Sequence, residues 1–144
     1  MNIQELRIGN YYESTKFGTF VKCEFSDMCE IYQRADGATP DESHVEQLFK
    51  PIKLTRKLLL ELGFNEYDEG NFIIKIYRQS FIVAEAQDND LLLQYREDVG
   101  LDFYSLQFID YVHELQNIIL DLSKRELPTH AKGDGMGFKG QRSN

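Results

Sequence analysis

The period of apolar and polar positions changes several times along the chain. Over Phe20–Phe25, Val21, Cys23 and Phe25 alternate with Lys22 and Glu24, the period-two pattern of a half-buried strand. The stretches NYYE, TFVKCEF and MCEIYQR are separated by KFG and SD and followed by the loop ADGATPDES. They read as short strands joined by turns. With Ser26–Met28 as a loop, Cys29 and Ile31 continue the same apolar face, so the first 50 residues suggest a small curled sheet or an SH3-like barrel.

Pro51 opens a second part. Thr55 is placed to cap a short helix whose Leu58, Leu59 and Leu62 form one apolar stripe. Gly63 suits the left-handed residue that stops it, and Phe64 folds back on the last turn. NFIIKIY, SFIVAEA and LLLQYR follow with short connections. Alternation of Phe72, Ile74 and Ile76, and of Leu91, Leu93 and Tyr95, predicts a three-stranded antiparallel meander with one covered face. The cover is a last helix read over 106–124, where Phe108, Tyr111, Val112, Leu115, Ile118, Ile119 and Leu122 recur at three- and four-residue spacing. The fold class expected is α+β, as one domain over 1–127 with a β-rich part (1–50) and a helix–meander–helix part (51–127). Residues 128–144 read as a disordered tail.

Composition changes this picture little. With 144 residues, 42% of them apolar and 28% charged, the chain has the make-up of one ordinary globular domain. Eighteen aromatics, ten Phe and eight Tyr, supply much of the burial. The start, MNIQELRIGNYY, carries no basic segment followed by an apolar one, and no apolar run approaches the roughly 20 residues of a membrane span. A cytoplasmic protein without membrane contact is expected. The net charge of −8 is uneven: the body is acidic, while residues 128–144 carry three basic side chains and one acidic. An acidic body repels phosphate backbones, which argues against direct nucleic-acid binding.

Candidate chemistry is sparse. Gly135, Gly137 and Gly140 have dinucleotide-loop spacing, but only four residues follow Gly140, so no helix can present its N–H groups to a phosphate. Cys23 and Cys29, as diagonal neighbours on one strand face, would stand roughly 7–8 Å apart between Cβ atoms, too far for a disulfide, and read as reduced buried thiols. Zinc would need ligands beyond them and His44. The acidic pairs Asp88/Asp90 and Glu97/Asp98, with Asp102, fail the calcium-loop pattern, because Leu92 stands at its fifth position and no glycine follows. No metal, cofactor or catalytic residue is therefore assigned. On the last helix, Asp110, His113, Glu114, Asn117 and Asp121 gather opposite the apolar stripe as a solvated polar face.

Three stretches are familiar together: ELRIGNYY (Glu5–Tyr12), PIKLTRKLLLELGF (Pro51–Phe64) and YVHELQNIILDL (Tyr111–Leu122). They resemble a group of small uncharacterised proteins of Bacteroidetes bacteria and their phages and prophages. Those share an L-R-I-G-N-Y/W opening, a P-I-x-L-T…G-F middle and a Y-V-H-x-L-Q-N helix. The resemblance implies a phage or mobile-element setting and carries no catalytic residue, cofactor or substrate; the tail from Pro128 departs from the usual ending. Most matched positions read as packing and turns. His113, Gln116 and Asn117 do not, and with Asp110 and Glu114 they are the expected partner-binding surface, whose removal should spare the fold. The function expected is non-enzymatic: binding of a bacterial or phage protein in the host cytosol, with self-association left open. The alternatives are an acidic DNA mimic that occupies a nucleic-acid-binding host protein and a metal-dependent hydrolase using the acidic loops.

Overall fold

Two adjacent tyrosines divide the interior. They alternate across β1 (Tyr11–Ser14), so that Tyr11 enters a large apolar cluster and Tyr12 a small one. In this computed structural model residues 1–86, 89–97 and 102–124 are described. The expected tail with its three glycines, and the loop acids Asp88 and Asp98, lie outside them.

The small cluster is built by β1, β2 (Phe20–Lys22), α1 (Phe25–Ala35), α2 (Glu42–Glu46) and β3 (Phe49–Lys50). The strands form an antiparallel sheet in the order β2-β1-β3. Tyr12, Leu6, Val21, Cys23, Ile31, Val45 and Phe49 fill its interior. No closed barrel forms, and the expected third strand, MCEIYQR, is part of helix α1. The reasons are local. The Asp27 carboxylate accepts from the Glu24 N–H at 2.8 Å and so caps the first turn. Met28, Ile31 and Ala35 then share one inward stripe. The helix ends where Asp36 and Gly37 take left-handed backbone, φ 50° and 87°.

The second part begins with α3 (Arg56–Glu61). Thr55 Oγ1 accepts from the Leu58 N–H, and Leu58, Leu59 and Leu62 are buried, as the stripe predicts. Gly63 stands at φ 101°, and the Phe64 N–H returns to the Leu59 carbonyl, which drives the buried Phe64 ring under the helix. The sheet beyond has five strands rather than three: β4 (Asn65–Asp68), β5 (Asn71–Ile76), β6 (Gln79–Glu85), β7 (Leu91–Glu97) and β8 (Tyr104–Ile109), antiparallel in that order. Register places Phe72, Val83 and Leu93 in one row, and Ile74, Phe81 and Tyr95 in the next. These rows face α3 and α4 (Val112–Ser123) in the large cluster.

The covering helix starts six residues later than its periodicity suggests. Leu106–Ile109 belong to β8, and the Glu114 carboxylate accepts from the Asp110 and Tyr111 N–H groups, both at 2.9 Å, fixing the start at Val112. Phe108 thus leaves the helical stripe and is 58% exposed on the sheet. The architecture is α+β, with antiparallel sheets of three and five strands and four helices among the described residues. None of these helices is long and apolar enough to cross a membrane.

Candidate interaction surface

The expected polar face of α4 is divided: Asp110 and Asp121 are exposed, Glu114 and Asn117 half-buried and His113 buried. His113 is 1% exposed, which corrects its reading as solvated, and Gln116, expected on the partner-binding surface, is 6% exposed. They turn inward because the Glu5–Tyr12 segment crosses the helix there. Gln116 Oε1 accepts from the Tyr11 N–H at 3.0 Å, and Asn117 Oδ1 accepts from the Asn10 side-chain amide. The His113 ring lies between Tyr12, with centroids 5.4 Å apart, and Tyr111, stacked at 5.8 Å. Its Nε2 is 3.8 Å from Glu5 Oε1, an ion-pair approach too long for a hydrogen bond. Arg7 Nη2 meets Asp121 Oδ1 at 3.1 Å on the rim.

Burial governs the titration of this seam. It lowers the His113 pKa, against the opposing pull of the Glu114 and Glu5 carboxylates. It also raises the Tyr12 hydroxyl to about 12, where that hydroxyl donates to the Glu5 carbonyl and accepts from the Arg7 N–H.

The third familiar stretch joins the same place. The Leu54 N–H donates to the Asp110 carbonyl and the Val112 N–H to the Ile52 carbonyl, both at 2.9 Å, making a bridge between Lys53 and Tyr111. Lys53 Nζ then reaches Asp110 Oδ1 at 3.5 Å, with both side chains exposed. The three sequence stretches therefore converge on the N-terminal half of α4. Of the five residues expected to bind a partner, Asp110 is exposed, Glu114 and Asn117 are half-buried, and His113 and Gln116 are interior.

The other sequence candidates do not converge. Cys23 is buried at the end of β2, whereas Cys29 is half-buried on α1; neither is in a disulfide, and they do not share a strand face. Among the described residues no three His, Cys, Asp or Glu side chains are grouped to hold a metal ion. A cleft of 480 Å³ between β1 and α3 brings Glu13, Lys53, Lys57 and Glu61 around Phe20 and Leu58, a mixed-charge lining.

A surface that periodicity alone does not single out lies on the far side of the five-stranded sheet. Strand alternation turns Ile73, Ile82 and Gln94 outward in one row, and Ala84, Leu92 and Phe108 in the next. Ile82 is outside both core clusters. Helices α3 and α4 pack on the inner face, and α1 and α2 belong with the small cluster. Among the described residues this leaves the outer face without a helix. At one end the Arg96 guanidinium covers the Phe103 ring, 4.3 Å from its centroid. The signal for this face was the apolar filling of both phases of FIIKI, FIVA and LLL, which marks strands apolar on two sides rather than one.

No family model matches the chain, and no solved structure matches it. It is similar to the phenylalanine--tRNA ligase alpha subunits of Homo sapiens and Pongo abelii, 30% identical to each over 110 residues. That stretch is 76% of this chain and 20% of the subunit, so the chain spans a fifth of the length of the curated relatives it matches.

Proposed function

We propose that this chain is a non-catalytic interaction protein of a phage or prophage, acting on a protein of the bacterial cytosol, with the outer face of the five-stranded sheet as its docking surface. The observation that carries the reading is the apolar content of that face: Phe108, 58% exposed, and the half-buried Ile73, Ala84 and Leu92 lie around the buried Ile82, with no described helix over them. Grouped apolar side chains that remain partly exposed on a chain of net charge −8 are a common mark of a protein-binding site. The polar seam on α4 holds the two sheets together in this reading, and Asp110 contributes only to the rim.

The test places one lysine at Ile73 and one at Leu92. Both positions are half-buried, and a lysine stem still covers Ile82 while its ammonium group opposes an apolar partner. Ile73→Lys/Leu92→Lys should keep the circular dichroism spectrum and lose the host protein that the wild type captures. A wild type that captures nothing, or a double variant that captures equally well, refutes the reading. The similarity to a tRNA ligase subunit favours a second reading, in which the chain touches tRNA, and the net charge opposes it. Labelled tRNA titrated at low salt separates the two: saturable binding replaces the docking reading, and a flat titration leaves it in place.

A further inference from the structure

The two edges of the five-stranded sheet are built differently. Both edge strands carry a register shift, β4 between Glu66 and Asp68 and β8 at Leu106, but only β4, Asn-Glu-Tyr-Asp, also bears carboxylates, and charge is a usual protection of a sheet edge. Strand β8, at the other edge, reads Tyr-Ser-Leu-Gln-Phe-Ile. It has no charge, proline or glycine, and every residue from Tyr104 to Phe108 is exposed, with Tyr104 at 65%. Among the described residues its strand partner in the sheet order is β7. The 51–54 segment joins the chain only beyond the strand, at Asp110–Val112. Among the described residues this neutral edge is uncapped, and such an edge is a template for another strand.

We propose that β8 pairs antiparallel with β8 of a second copy about a two-fold axis through Gln107, joining the two sheets into one of ten strands. The strand is complementary to itself about that point. Gln107 meets its own copy, and Leu106, the residue at the register shift, and Phe108, on the outer face, each meet the other from the second chain. Tyr104 then stands opposite Asp110, so no carboxylate faces a carboxylate. A two-fold axis one residue earlier, through Leu106, would oppose Asp102 to Asp110 and is disfavoured. Charge also selects the occupant. Two bodies of net charge −8 approach best along a strip without carboxylates, whereas a basic peptide would need carboxylates that Tyr104–Ile109 does not offer. The pairing goes beyond the docking reading and leaves the outer faces open, side by side, as one continuous surface.

Because Gln107 is exposed and sits on the axis, charge placed there meets itself. The expected result is a concentration-dependent rise of the wild-type mass from 16.8 kDa to twice that value in sedimentation equilibrium. Gln107→Glu and Gln107→Lys should each weaken the dimer about tenfold or more when alone. An equimolar mixture of the two should restore it. A wild type that stays at 16.8 kDa, single variants that pair unchanged, or a mixture that stays monomeric overturns the proposal. Crosslinks from a monomer's Tyr104 to its own residues 125–144 overturn it in favour of the C-terminal stretch as the occupant. Loss of host-protein capture by Ile73→Lys/Leu92→Lys with dimerisation intact would separate this proposal from the docking reading.

Discussion

His113 is a titratable ring shut between two tyrosines, and its burial lowers its pKa. The unfolded chain, with an ordinary histidine pKa of about 6.5, takes up a proton more readily than the folded one. Stability is therefore full above that pH and falls as the solution is acidified through and below it. Glu5 and Glu114, and the Met1 amino group acting with burial, set how far the folded pKa drops. Wild type should lose urea resistance between about pH 7 and pH 5, and His113→Phe, which keeps a ring in the slot, should lose less. Equal losses would mean that the imidazole is not the group responsible. Sequence periodicity placed this histidine on the polar side of α4. What it could not supply was the segment crossing there, because an N-terminal strand and a C-terminal helix more than 100 residues apart meet only in the fold.

At the scale of elements, legibility followed the clarity of each period. Helix α3 was readable in full, cap, stripe and glycine stop, because each signal is local and all agree. The central strands β5, β6 and β7 were readable from alternation. Helix α1 was not, because the alternation of Val21, Cys23 and Phe25 runs on through Cys29 and Ile31 and masks the three- and four-residue spacing of Met28, Ile31 and Ala35. The Asp36-Gly37 stop was the available correction. Strand β4, fully exposed and polar, had no apolar pattern to read, and β8 was absorbed into the helix that follows it. The helical reading of α1 has a chemical consequence. Cys29 should react with a thiol reagent in the native protein, while Cys23, with no exposure at the end of β2, should react only on unfolding. Intact mass after a short native pulse should show one modification; two would mean that Cys23 is open.

For the whole molecule, the familiar stretches acquire a common role. Glu5–Tyr12, Pro51–Phe64 and Tyr111–Leu122 lie far apart in the chain and meet at one seam, where β1 contributes to both apolar clusters and α4 closes the larger one. Gln116 and Asn117, which looked free for a partner, hydrogen-bond across this crossing beside the buried His113. The amides matter because removing a buried acceptor costs about 1–3 kcal/mol, a large share of a domain's stability. The most direct measurement is the urea unfolding of the triple variant His113→Ala/Gln116→Ala/Asn117→Ala beside wild type. The seam account predicts a fall in stability of at least about 3 kcal/mol, with the midpoint displaced to match. Superimposable unfolding curves would contradict it and return these three side chains to the surface.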